Sequence, residues 1–280
     1  MVSSEDRGES KHTPLGTPSS IYAVELFDSI PSTNDYLLNL ASCIHPLHPY
    51  YSKNIACIAK EQTAGKGRRG RTWISSDHNI YFSLLWHFSC PSSQLSGLSI
   101  AVACAVVNTL LTLSPKPLDL KWPNDVFWEK QKLCGILIEL TQKNHSTHKT
   151  SAVIGIGLNV CISESTRKRI TQPCTDLKTL LHPLTLPDNT VITDKLLNHL
   201  EDALICFQTQ GLRPFMEQWR TLDITFGKGV TLTTPTATVH GIGRGIDTEG
   251  KFLLELPSGE LFHFIDGEIS LQLDPETQSL

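Results

Sequence analysis

Four cations, Lys66, Arg68, Arg69 and Arg71, stand among three glycines, Gly65, Gly67 and Gly70, within residues 61–73. Core packing has no use for that combination. Glycine buries no side chain and loses the most backbone freedom on ordering, and neighbouring cations repel one another. The chemistry it suits is anion binding. Glycines let backbone N–H groups approach a ligand closely, and guanidinium forks hold phosphate or carboxylate through paired hydrogen bonds. No Gly-x-x-x-x-Gly-Lys-Ser/Thr can be read in the stretch, so it is not a Walker A loop. A solvated basic turn and a nucleic-acid patch share this composition, and the stretch alone does not separate them from a ligand loop.

Other segments carry polar side chains at places where structure alone does not demand them. Lys121-Trp122-Pro123-Asn124-Asp125 closes an apolar run, with Pro123 stopping a strand. Ser32-Thr33-Asn34 precedes an apolar-periodic segment. The triplet supplies N-cap chemistry, and its hydroxyls can equally hydrogen-bond a polar ligand. Gly155 and Gly157 interrupt the apolar run 152–160, which marks either a close approach to the backbone or a bulge. No Gly-x-Gly-x-x-Gly opens a helix there. The His45–His48 pair has no carboxylate or cysteine nearby and is not read as a metal site. The eight cysteines are scattered, which fits buried free thiols in a reducing compartment better than disulfides or zinc.

The elements that position these groups follow from periodicity. Strands are predicted over 22–27, 55–59, 79–88, 118–122 and 152–160, and a hairpin pairs 126–128 with 133–140. Helices are predicted over 35–42, from a Ser92/Ser93 cap to Leu110, from Thr193/Asp194 to about Gln210, and over 214–220. Segment 161–189 reads as polar and irregular. From Lys228 onward short strands, 230–233, 237–246, 252–256, 261–265 and 268–273, alternate with turns to make a small antiparallel barrel. Residues 1–20 are rich in Ser, Gly and Pro and are expected to be disordered. At 280 residues there is room for one large domain and a small one. A net charge of -4 excludes a generally basic nucleic-acid binder. The chain opens with no secretory signal, and its apolar runs fall far short of the ~20 residues that span a bilayer. A cytoplasmic location is expected.

Four motifs stand in order: Ser32-Thr33-Asn34, the loop from Gly65 to Arg71, Lys121-Trp122-Pro123-Asn124-Asp125, and Lys132-Leu133-Cys134-Gly135-Ile136-Leu137-Ile138-Glu139. Gly155-Ile156-Gly157-Leu158-Asn159 follows them. Together they closely resemble the biotin–protein ligases, which attach biotin to biotin-dependent carboxylases. Gly243-Arg244-Gly245-Ile246-Asp247 and Gly267-Glu268-Ile269-Ser270 resemble that family's C-terminal domain. The resemblance implies an α+β fold, with a mixed β-sheet packed with helices in a class II synthetase-like catalytic domain over 21–225. A small SH3-like β-barrel over 226–280 would follow. It also implies the monofunctional type, since little precedes the catalytic domain and a DNA-binding winged helix-turn-helix has no room. No DNA and no membrane partner is expected, and the chain is expected to be a monomer or weak homodimer.

The implied reaction has two steps: biotin's carboxylate attacks the α-phosphorus of ATP, and an acceptor lysine then attacks the resulting adenylate. Its requirements are ATP, Mg2+ and biotin, with no permanently bound cofactor, and its partner is the biotin carboxyl carrier domain of acetyl-CoA carboxylase or a related carboxylase. Carried over by position, Ser32, Thr33, Asn34 and Gln62 would bind biotin, and Lys66, Gly67 and Arg68 would close over biotin and the adenylate. Lys132 would bridge the biotin carboxylate and the α-phosphate. Lys121, Asn124 and Asn159 would lie near the nucleotide and its magnesium-bound phosphates, and Trp73 would stack on the adenine or wall it off. Asp125 is a candidate base for the acceptor lysine or an orienter of a neighbouring cation. Trp122 is packing or function. One departure stands out: Lys66 occupies a place where the family usually has arginine, keeping the charge but losing the fork. Two other readings remain open, a lipoyl–protein ligase of the same fold and a non-catalytic nucleotide- or nucleic-acid-binding regulator.

Overall fold

The structure, a computed structural model, describes residues 22–43, 50, 53–76, 78–141, 149–233, 238–265 and 270–273. The expected tail 1–20, the His45–His48 pair and residues 267–269 of the C-terminal motif lie outside these. In chain order the elements are β1 (Tyr22–Ile30), α1 (Thr33–Cys43), β2 (Asn54–Gln62), β3 (Ile80–Phe88), α2 (Leu98–Leu111), β4 (Asp119–Lys121), β5 (Asp125–Trp128), β6 (Gln131–Thr141) and β7 (Thr150–Leu158). There follow α3 (Glu164–Arg167), α4 (Leu177–Leu181), α5 (Asn189–Gln210), α6 (Met216–Leu222), β8 (Gly229–Thr233), β9 (Thr238–Ile246), β10 (Phe252–Glu255), β11 (Leu261–Phe264) and β12 (Ser270–Leu273). The chain parts into two compact units. One takes Met1–Ser92 and Gln131–Asn198, the other Ser93–Lys130 and His199–Leu280.

The first unit is built on strands in the order β1-β2-β3-β7-β6. β1 and β2 run parallel because α1 carries the chain back between them; β2-β3, β3-β7 and β7-β6 are antiparallel. Leu37 and Ala41, one turn apart on α1, pack against Ile55, Cys57, Leu85 and Val153 of the sheet. The central strand β3 is buried along nearly its whole length, so it reads as a continuous apolar run rather than an alternation. Ser83 is the polar residue within that buried run, fully enclosed.

Segment 161–189 is better ordered than expected. Ser163 caps α3 by accepting from Thr166 N at 3.2 Å, and Asp176 caps α4 by accepting from Thr179 N at 2.9 Å. Leu177, Leu180 and Leu181 then bury one face of α4. The short caps were legible in type, but two turns of helix are too brief for a periodic signal. α5 begins about a turn before Thr193, because Asp188 accepts from Thr190 N at 2.8 Å and so takes the capping position.

In the second unit α2 is buried on nearly every side. Its start differs from the expected serine cap. Ser92–Leu95 forms a separate 3-10 turn, and Gly97, at φ 79°, turns the chain into the helix without a side-chain cap. Only glycine takes that conformation without strain, and a Cβ there would lie 2.7 Å from Leu212 Cδ2. Gly211, at φ 66°, ends α5 as expected, donating to Phe207 O at 2.8 Å. The C-terminal strands form an antiparallel sheet in the order β11-β10-β9-β8-β12.

Candidate active site

The N-terminal turn of α1 assembles the first group of predicted residues. Ser32 Oγ caps the helix, accepting from Asp35 N at 3.2 Å. Both the backbone N and the Oγ1 of Thr33 lie on Gln62 Oε1, at 2.8 and 3.0 Å. Asn34 donates through Nδ2 to Glu139 Oε2 at 2.9 Å and to Leu137 O at 3.3 Å. Its Oδ1 lies 2.6 Å from Ser83 Oγ. Gly155 explains itself here: a Cβ at that position would sit 2.2 Å from Asn34 Oδ1. Of the two readings left open for the glycines of β7, close approach is the one the structure supports.

The cationic loop runs on from β2. Trp73 N donates to Gly65 O at 2.9 Å and Gly67 N to Arg71 O at 2.7 Å. Lys66 and Thr72 face each other across this narrow arch, and Arg69, at φ 57°, and Gly70, at φ 72°, turn its tip. Lys66 Nζ donates to Asp35 Oδ1 at 2.7 Å, tying the loop to α1. That hydrogen bond raises the Lys66 pKa above the ordinary lysine value. Beyond the loop, Trp73 lies flat on the sheet. Added Cβ atoms on Gly157 and Gly135 would stand 2.6 and 2.7 Å from its ring. Its indole N–H is buried without a hydrogen-bond partner among the described residues, a donor that a bound ligand could satisfy.

Lys132 reaches the same place from β6. Its Nζ stands 5.4 Å from the Trp73 ring centroid, a cation–π distance. Its backbone is pinned: N donates to Pro173 O at 3.0 Å, and O accepts from Thr175 N at 3.0 Å. Asn159 adds a third restraint, its Nδ2 donating to Lys132 O at 3.3 Å and to Thr175 O at 3.1 Å. Both amide hydrogens of Asn159 are therefore used, and a ligand would meet this residue only through Oδ1.

Thus Ser32, Thr33, Asn34, Gln62, Lys66, Gly67, Arg68, Trp73, Lys132 and Asn159 all belong to the first unit. Lys121, Trp122, Asn124 and Asp125 belong to the second. There Lys121 Nζ lies 5.5 Å from the Phe127 ring, and Asn124 N donates to Lys121 O at 3.2 Å. Trp122 is a packing residue. It is 2% exposed, donates from Nε1 to Gly250 O at 2.9 Å, and stacks at a tilt 5.6 Å from Phe252. Among the described residues no three His, Cys, Asp or Glu side chains converge to hold a metal. Cys57, Cys104, Cys134 and Cys174 are buried free thiols, and burial pushes Cys104 up to about 12. No described helix is long and apolar enough to cross a membrane.

Sequence reasoning missed Ser83, Asp35 and the side-chain role of Glu139. Ser83 did leave a signal, as a small polar residue inside an apolar strand. Asp35 and Glu139 left none, because carboxylates at helix starts and strand ends are ordinary.

Arg69 and Arg71 stand exposed in the loop, which suits them to proteolysis. Limited trypsinolysis is expected to cut the ligand-free protein after Arg69 or Arg71, and biotin with ATP is expected to suppress those cuts. Mass-spectrometric mapping that finds equal rates with and without ligands would show that the loop is no cover.

Comparison with known proteins places this geometry. Residues 26–159 match the biotin/lipoate A/B protein ligase family, and residues 225–272 match the biotin protein ligase C-terminal domain. The bifunctional ligase/repressor BirA of Salmonella typhimurium is 34% identical over 250 residues, 89% of this chain and 74% of that protein. The biotin–[acetyl-CoA-carboxylase] ligase of Mycobacterium tuberculosis is 32% identical over 209 residues, 72% of this chain and 73% of that one. The biotin protein ligase of Aquifex aeolicus, solved with biotin and ATP, superposes with a TM-score of 0.73 at 25% identity, covering 90% of this chain and 99% of that chain. With these matches at both ends of the chain, and the motif residues gathered as described, the chain belongs to the biotin protein ligase family.

Proposed function

We infer that this protein activates biotin with ATP to biotinyl-5′-adenylate and transfers biotin to a lysine of a biotin carboxyl carrier domain. The observation that carries this reading is the meeting of Lys132 with Trp73 over Gly135 and Gly157, next to the polar group at the start of α1. In the first step a carboxylate oxygen bonds to the α-phosphorus and pyrophosphate leaves. In the second an acceptor ε-amine attacks the mixed anhydride, loses a proton and expels AMP. The first step forces like charges together, so it needs fixed cations more than a nucleophile. Lys132, with its backbone pinned at three points, supplies a compact ammonium in a fixed place. Lys66 and Arg68 bring further positive charge from the loop. Magnesium enters with the nucleotide as part of the substrate.

The polar atoms of Thr33 and Gln62 suit the ureido ring, and the flat Trp73 suits the wall of the site. Lys121 and Asn124 are proposed for the nucleotide, and Asp125 for the acceptor lysine or a neighbouring cation, on motif resemblance alone. The two family matches support a catalytic domain over 21–225 followed by a C-terminal domain over 226–280. Incubation with MgATP and either biotin or lipoate tests the assignment. Pyrophosphate release that depends on biotin is expected, followed by labelling of a carrier domain. Release with lipoate alone, or with neither acid, would overturn it.

A further inference from the structure

We propose that Ser83 and Glu139 are positioning residues that make the Thr33 hydroxyl an obligate acceptor, and so select a ligand ring bearing an N–H. This rests on the biotin reading above and extends it to what sets specificity. The argument is one of hydrogen count. Leu137 O accepts only, and it lies 3.3 Å from Asn34 Nδ2; Glu139 Oε2, at 2.9 Å, faces the same atom. The Asn34 amide is therefore held with its NH2 toward β6 and its oxygen toward Ser83. Oδ1 has no hydrogen, so across the 2.6 Å contact the donor must be Ser83. A serine hydroxyl has one hydrogen, and once it is given to Asn34, Ser83 Oγ can only accept across its 2.7 Å contact with Thr33 Oγ1.

The Thr33 hydrogen is thereby spent inside the protein. Two hydroxyl oxygens 2.7 Å apart need a hydrogen between them, so its taker is Ser83 Oγ, while Gln62 Oε1, 3.0 Å away, accepts from Thr33 N. Thr33 Oγ1 then meets a ligand only through a lone pair. Gln62 is fixed in the opposite sense, since its Oε1 accepts from Thr33 N at 2.8 Å and its Nε2 is left to donate. An acceptor beside a donor matches a cyclic urea, whose ring carries N–H next to C=O. A dithiolane ring has neither, and would leave Thr33 and Gln62 unpaired. The centre of the relay is enclosed: Thr33 is 3%, Asn34 4% and Ser83 0% exposed, with Gln62 and Glu139 half-buried at its ends. In such surroundings a site built to hydrogen-bond rejects a ring lacking the partner far more strongly than it rejects a change in size.

The test compares Ser83→Ala, Glu139→Leu and Glu139→Gln with the parent enzyme in pyrophosphate release. Biotin and an analogue carrying a ring oxygen in place of the N–H that would face Thr33 serve as substrates. Ser83→Ala and Glu139→Leu are expected to raise KM for biotin roughly tenfold, the scale of one buried hydrogen bond. kcat should hold within about threefold, the pattern of lost uniform binding. Glu139→Gln keeps an oxygen that can accept from Asn34, and is expected to recover most of the loss. The decisive readout is the preference for biotin over the ring-oxygen analogue, which should shrink roughly tenfold in Ser83→Ala, where Thr33 no longer gives its hydrogen to Ser83 and can donate to the ring oxygen. A merely structural role would weaken both substrates alike and leave that ratio unmoved, which would overturn the proposal. So would a fall in kcat with KM unchanged. Ser83→Ala, a small change within a strand, carries the test if Glu139→Leu does not fold. Parent enzyme that releases no pyrophosphate with biotin sinks the functional reading instead, so the two failures are distinguishable.

Discussion

Lys132→Gln is expected to slow biotinyl-adenylate formation by ~10²–10³-fold, the usual cost of removing one preorganised charge from a transition state. The fold should survive it. The backbone of residue 132 is held by hydrogen bonds to Pro173, Thr175 and Asn159 that do not involve the side chain. Among what the side chain contributes is its contact with Trp73, and cation–π contacts are worth about 0.5–1 kcal/mol when exposed. Loss of that contact corresponds to a shift in Tm of about 2–4 °C for a chain of this size. Lys132→Arg should also be impaired, because a planar guanidinium does not replace a compact ammonium at the same point. Single-turnover pyrophosphate release measures the effect. Near-parent rates for the glutamine variant would remove Lys132 from the reacting groups.

Gly155→Ala should cost nearly as much, by a different route. The added Cβ would lie 2.2 Å from Asn34 Oδ1 and 2.9 Å from its Cγ. Asn34 cannot step aside cheaply, since Ser83 holds one end of its amide and Glu139 with Leu137 the other. Overpacking costs about 1–3 kcal/mol, and each buried polar group left unpaired adds a similar amount. A loss of roughly 2–4 kcal/mol of stability is therefore expected, together with a rise in KM for biotin of tenfold or more. The double variant Asn34→Ala with Gly155→Ala gives the check. Removing the amide removes the clash, so the pair should be no less stable than Asn34→Ala alone. Strict additivity of the two losses would mean that the glycine is there for some other reason.

The sequence by itself determined the local elements and the inventory of chemistry. A serine before an apolar-periodic segment set the start of α1, and Gly211 set the end of α5. Closely spaced turns set the C-terminal antiparallel strands, and Lys66, Arg68 and their glycines marked the loop. Each is decided within a few residues by backbone preference and hydrogen-bond supply, which composition and spacing express directly. Helix starts were less legible where a neighbour intervened. Gly97 opens α2 because Leu212 leaves no room for a side chain there, and no local pattern around Ser92 could say so.

What lies around the motif residues was decided only in three dimensions. Ser83 meets Asn34 across 49 residues of sequence and Glu139 meets it across 105. Both contacts exist because β3 and β7 become neighbours and β6 joins on the far side of β7, an order that chain succession does not predict. Gly155 and Gly157, which the sequence left between a close approach and a bulge, prove with Gly135 to be the ground on which Asn34 and Trp73 rest. The physical reason is the same in each case. Whether a small residue or a carboxylate is useful depends on which distant side chain arrives above it, and that is fixed by strand order and register rather than by the residues on either side.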